Sequence, residues 1–174
     1  MTQSLWLWLV LALLVFWAVG AYNRLMRLRA QVLISFQAVD RCYSGLVALV
    51  EETMPDVTTD TSVHQHTVLR GAGTQFDSSL RVARRDVLEP AALAALRTAH
   101  TTLQVCWTRL VETCQPPSAP LKPPWQEAWV DNRRQAADAV TQFNQAVQAH
   151  NAAVGQFPAQ LVAWVFGFIP VGNL

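Results

Sequence analysis

The first charged side chain in this sequence is Arg24. Before it, Leu5 to Tyr22 reads LWLWLVLALLVFWAVGAY, 18 residues without a strong polar group. Such a run needs a structure that satisfies its own backbone in an apolar medium, and a helix does this within one segment. As a helix it spans roughly 27 Å at about 1.5 Å per residue, against a hydrocarbon core about 30 Å thick. Trp6 and Trp8 sit near one end, Trp17 and Tyr22 near the other. That placement suits two interfacial aromatic belts. A cleaved signal peptide is the competing reading, because Ala18-Val19-Gly20 is a small-x-small site. Met1 to Ser4 lacks the positive flank of such a peptide, and the helical pattern continues past Tyr22. Residues 1–23 are therefore expected to be a retained transmembrane anchor in contact with the bilayer through residues 5–22. Arg24, Arg27 and Arg29 follow the run and no Lys or Arg precedes it. The positive-inside rule then predicts a cytoplasmic C-terminal domain.

The anchor accounts for the composition. Of 174 residues 52% are hydrophobic and only 14% charged, against about 25% charged in ordinary soluble domains. That apolar content excludes disorder as the overall state. With Lys+Arg 13 and Asp+Glu 12 the net charge is +1, which leaves no electrostatic footprint for nucleic acid. Three cysteines in a chain this long do not make a disulfide scaffold, and they favour a reducing compartment. Cys106 and Cys114 would stand roughly 12 Å apart on one helix, too far to bridge.

Past Tyr22 the apolar residues recur at three and four, with no convincing period-2 strand. A first segment, Arg24 to Met54, has the stripe Leu25, Leu28, Val32, Phe36, Val39, Tyr43, Leu46 and Val50. It continues the anchor as one helix until Pro55. A second has Leu69, Ala72, Phe76, Leu80, Ala83 and Val87, after a turn-like stretch from Thr58 to Ser62. Gly71 and Gly73 weaken it by about 1 kcal/mol each. A third runs from Ala91 to Gln115 behind Pro90, with Leu93, Leu96, Ala99, Leu103, Trp107, Leu110 and Cys114 on one face. The prolines from Pro116 to Pro124 predict a stiff loop. The fourth runs from Trp125 to Gln156, with Trp125, Trp129, Asn132, Ala136, Val140, Phe143, Val147, His150, Val154 and Phe157 in its stripe. The expected fold is all-α: a transmembrane helix continuing into an antiparallel up-down bundle of about four helices, residues 24–157. Residues 158–174 form an apolar tail. It is too short to span, and it is expected to contact the anchor or the headgroup layer near Tyr22.

No catalytic, cofactor or metal site is expected. His64 and His66 are two apart, so a helix would send them to different sides, and they read as solvated loop histidines. His100 and Cys106 do not share a face, and Cys106 reads as a small core residue. Glu51 and Glu52 diverge. Arg84-Arg85-Asp86 and Asp131 to Arg134 read as exposed faces with local ion pairs. Phosphate-loop, dinucleotide, zinc-protease and nucleophile-elbow motifs are absent. Asn132, His150 and Asn151 on the apolar stripe call for partners, and an internal hydrogen bond that fixes helix register is the expectation.

Two stretches have a family likeness. One is Tyr22-Asn23-Arg24-Leu25 and the MRLRAQVLISFQAVD that follows it. The other joins Asn132-Arg133, Phe143-Asn144, His150 to Pro158 (HNAAVGQFP) and Gly167-Phe168-Ile169-Pro170. Together they resemble the LemA family over about half the chain, at its two ends. The family's tyrosine before the distal Asn is His150 here, its P-N-L-V motif is replaced by RCYSGLVALV, and residues 56–115 match no motif. The resemblance implies a single-pass helical-bundle protein of the bacterial inner membrane, and it brings no catalytic residue. The expected function is a non-catalytic scaffold or accessory subunit, with other membrane proteins or a second copy of the chain as partners. A sensory module and a regulator of a membrane-bound protease are the alternatives.

Overall fold

The computed structural model describes residues 2–52, 60–114, 124–156 and 159–174. Its elements are α1 (Thr2–Glu52), α2 (Asp60–Arg85), α3 (Pro90–Cys114), α4 (Pro124–Gly155) and α5 (Ala159–Phe166), with no strand among the described residues. Pro55, the proline-rich stretch 116–123 and Phe157-Pro158 lie outside them.

α1 is one unbroken helix of 51 residues, roughly 76 Å long at about 1.5 Å per residue. Its two halves have opposite surroundings. From Trp6 to Val19 every large apolar side chain is exposed. From Leu25 onward the stripe turns inward: Leu25, Val32, Phe36, Val39, Tyr43, Leu46 and Val50 are buried and Leu28 is half-buried. The steps of three and four put these residues on one side of a 3.6-residue helix, so a single face meets the core.

α4 packs along that face. Gly45 meets Asn132, the rings of Phe36 and Phe143 lie 5.8 Å apart edge to face, and Leu25 clusters with Ala153 and Val154. The α4 numbers fall as the α1 numbers rise. At Gly45 a Cβ would stand 2.5 Å from Asn132 Nδ2, so a side chain here would have to displace the Asn132 amide.

α2 and α3 form a hairpin. Its turn is built by Asp86, whose carboxylate accepts the Leu88 N–H at 3.1 Å and whose carbonyl accepts the Glu89 N–H at 3.4 Å. Pro90 opens α3, where its missing N–H would be unpaired in any case. α2 also lies against α1. A Cβ on buried Gly73 would stand 3.1 Å from Val50, so this glycine sits at the helix contact, whereas Gly71 faces open space. Arg84 crosses to α1 and bonds Asp40 at 2.6 Å and Ser44 at 2.7 Å. The local pairing expected for the Arg84 cluster is thus replaced by an inter-helix one; the i,i+4 pair is Arg81 with Asp77.

The main core draws on α1 to α4. Tyr43 and Phe76 pack 5.1 Å apart, and Trp107 stacks on Trp129 at 3.9 Å with Trp125 edge-on at 5.5 Å. A second cluster, at the Tyr22 end, holds Leu25, Ala153 and Val154 against Val162 and Ala163 of α5. α5 ends in a left-handed cap: Gly167 has φ of 69°, and the Phe168 N–H returns to the Ala163 carbonyl at 2.9 Å. The expected contact of the apolar tail with Tyr22 is present, through Phe166 at 4.9 Å and Phe168 at 6.1 Å.

A second expectation is overturned in α2. His64 and His66 are not in a loop, because α2 already begins at Asp60. His64 is exposed, and His66 turns into the bundle with 8% exposure.

Candidate functional site

The end of the bundle around Tyr22 gathers its most unusual surface. Helix periodicity splits α5 in two. Val162 and Ala163 are buried on α1 and α4, while Leu161, Trp164 and Val165, spaced three and four, look outward. Trp164 is 82% exposed. Phe166 and Ile169 remain largely exposed at the margin of this face. An 18-residue window of α1 below it is apolar enough to cross a membrane, and none of that window is buried. Arg24, Arg27 and Arg29 are exposed just above Tyr22 and enter no ion pair among the described residues.

From this base the tail climbs back along α4. Asn151 Nδ2 donates to the Val171 carbonyl at 2.9 Å, and the Val171 N–H donates to Asn151 Oδ1 at 2.8 Å. One step on, Asn144 Nδ2 donates to the Leu174 main-chain oxygen at 2.9 Å, and Asn144 Oδ1 accepts the Leu174 N–H at 3.0 Å. Asn144 and Asn151 are seven apart, two helical turns, roughly 10 Å along α4. Residues 171 and 174 cover about the same distance in extended chain, so the spacings match. Val171 is buried in the main core, and Gly172 lies against the Pro90 backbone, where a Cβ would come within 3.3 Å.

The polar residues of the stripe therefore differ from expectation. Asn151 is bonded, but to the tail rather than between helices. Asn132 keeps an unpartnered buried Oδ1 beside Gly45. His150 is 2% exposed, with Nδ1 3.4 Å from Asn151 Oδ1 and Nε2 unpartnered. Asn144 was legible as one of two asparagines sharing a face at spacing seven, ahead of an uncharged segment with Pro170; its role was not anticipated.

The remaining candidates do not converge. His100 is half-buried, taking the Gln104 amide on Nε2 at 3.1 Å and facing Tyr43 Oη at 3.4 Å through Nδ1. Burial, with Arg133 nearby as the lesser cause, lowers its pKa from the ordinary 6.5. Burial lowers that of His66 too, and its Nδ1 has no partner. Burial also raises the Tyr43 phenol. Cys42 and Cys106 are unbridged, and the Cys114 side chain lies outside the described residues. Glu51 and Glu52 are exposed, as are Asp131, Arg133 and Arg134. A cleft of about 420 Å³ between α1 and α2 is lined by Val50, Glu51, Arg70, Gly73, Asp77 and Arg81. Among the described residues no three His, Cys, Asp or Glu side chains are gathered as a metal site would need.

No family model, curated protein or solved structure matches this chain. The LemA likeness thus stays one of short motifs. Among those motif residues Tyr22 packs against Phe168, and Asn144 and Asn151 hold the tail farther along α4.

Proposed function

We propose that this chain is a non-catalytic, membrane-anchored helical-bundle protein that acts as a scaffold or accessory subunit for other membrane proteins. The continuity of α1 carries the reading: one helix has an unburied apolar half and a half that forms core. Monomeric soluble proteins rarely expose contiguous apolar patches beyond a few hundred Å², and lipid removes that cost for residues 5–22. The same reading makes residues 24–157 an antiparallel up-down bundle. The opposed order of contacts along α1 and α4 supports it, as do the pairs Arg84 with Asp40 and Gly73 with Val50 between α1 and α2. The basic flank Arg24, Arg27 and Arg29 argues for a cytoplasmic domain. The LemA likeness of its short motifs implies a bacterial inner membrane as the address.

The test is crosslinking and co-purification from native membranes after a carbonate wash. The chain stays in the membrane fraction with an uncleaved anchor and brings down a membrane protein. Release by carbonate, or an N-terminus at Ala21 or Tyr22, overturns the anchor. Cysteine labelling of intact spheroplasts leaves the C-terminal domain unlabelled; labelling from outside reverses the orientation. Alanine at His64, His66, His100 or Cys106 leaves cellular function intact wherever folding is intact, and loss of function from a correctly folded variant overturns the non-catalytic reading.

A further inference from the structure

We propose that α5 is a second lipid contact, an interfacial foot. Its Leu161, Trp164 and Val165 face enters the boundary between headgroups and acyl chains, while Arg24, Arg27 and Arg29 meet anionic lipid phosphates. The proposal rests on the anchor reading and adds to it.

Height is the first argument. Tyr22 ends the apolar run, and Phe166 and Phe168 pack against its ring. α5 is therefore pinned where the anchor leaves the hydrocarbon. A bilayer is about 40–45 Å thick around a core of about 30 Å, so each headgroup layer is about 5–7 Å deep. At about 1.5 Å per residue, Arg24, Arg27 and Arg29 stand roughly 3, 7.5 and 10.5 Å above Tyr22. They bracket the depth of the phosphates, and long arginine stems reach several ångströms in either direction.

Charge is the second argument. Residues 139–174, which supply the second half of α4, α5 and the tail, contain no Asp, Glu, Lys or Arg. The first acidic side chain along α1 is Asp40, roughly 27 Å above Tyr22 at about 1.5 Å per residue. An anionic surface therefore meets three cations at this level and no carboxylate from α1, α4 or α5. Each basic residue near such a surface adds to its attraction for anionic lipid.

The face itself is the third. Leu161, Trp164, Val165, Phe166 and Ile169 are all more than half exposed, and they adjoin the unburied anchor. Tryptophan beside aliphatic residues, next to a basic flank, is the composition of an interfacial segment. Val162 and Ala163 hold the other side of α5 to the bundle, so the foot is fixed in place before it meets lipid.

The experiment uses the full chain with its cysteines replaced by alanine and one new cysteine carrying an environment-sensitive fluorophore. W164C reports the foot, L13C the anchor and V105C the bundle side. Each is reconstituted into phosphatidylcholine vesicles, with or without phosphatidylglycerol, containing nitroxide lipids spin-labelled near the headgroup or near the chain end. The W164C label is quenched several-fold more by the shallow nitroxide than by the deep one. L13C shows the reverse, and V105C responds to neither. Phosphatidylglycerol deepens quenching at 164, and R24Q/R27Q/R29Q abolishes that increase. If L13C is quenched and W164C is not, the foot is wrong and the anchor stands; a crosslink from 164 to a second copy would then name the occupant. If neither is quenched, the anchor reading fails first. V165C repeats the measurement should W164C lose helicity by circular dichroism.

Discussion

Asn151 holds Val171 by both of its main-chain polar groups, giving its amide to the carbonyl and taking the N–H on its own oxygen. A side-chain amide has the same donor and acceptor as a backbone peptide, so Asn151 acts as one residue of a neighbouring strand. Asn144 repeats the device at Leu174.

N151A removes both bonds and leaves the Val171 peptide to solvent or unpaired. At about 0.5–1.5 kcal/mol net for each hydrogen bond, the loss is about 1–3 kcal/mol. Hydrogen exchange reads it directly: the amides of Val171 and Leu174 lose protection while those of the α1–α4 core keep theirs. N151D retains the acceptor and loses the donor, so it falls between wild type and N151A. Unchanged protection at Val171 in N151A would refute the clasp.

G45A places a methyl 2.5 Å from Asn132 Nδ2. Relieving that clash means moving Asn132 or separating α1 from α4, at about 1–3 kcal/mol. N132A removes the obstacle and with it a buried oxygen that has no partner. The double variant G45A/N132A is therefore more stable than the sum of the single changes predicts. Additive urea midpoints would show that the two residues do not meet.

Phe143 is fully buried against Phe36. F143A opens a cavity between α1 and α4, at a cost of about 3–5 kcal/mol. F143L keeps most of the volume and loses clearly less. Chemical denaturation of the reconstituted chain separates the two, and equal losses would place Phe143 outside the core.

Acid weakens the fold through His100. Burial favours its neutral ring, so its folded pKa lies below the ordinary 6.5 of the unfolded chain. The stabilisation is complete above pH 6.5 and is lost as pH falls from there toward the folded value, because the unfolded state takes up the proton first. The urea midpoint drops between pH 7.5 and 5.5, and H100Q flattens part of that slope. His66 contributes with the same sign. A midpoint that rises on acidification would contradict both.

The helices were legible because burial imposes a period. The stripes of the first three segments from Leu25 to Leu110 are buried at every position but half-buried Leu28. In the fourth stripe Trp125, Asn132 and Val140 sit at its half-buried margin. Pro90 announced the α2–α3 turn through its ring chemistry. His66 was misread because short polar residues before it look like a turn, yet the helix already begins at Asp60. The clasp showed only as two asparagines at spacing seven, a pattern that names no partner. It depends on two asparagines meeting a peptide 20 and 30 residues away, and a backbone partner has no side chain to read in the sequence.

The absence of a joint in α1 has a mechanical consequence. Bundle and apolar N-terminal half share one rod, so whatever turns one turns the other. A tilt of about ten degrees at Tyr22 displaces Glu52, roughly 45 Å up the axis at about 1.5 Å per residue, by about 8 Å. A single residue inserted between Tyr22 and Leu25 would swing every side chain of the apolar half by about 100 degrees relative to the bundle. The lower helix is thus a lever whose phase and angle are read out at the far tip.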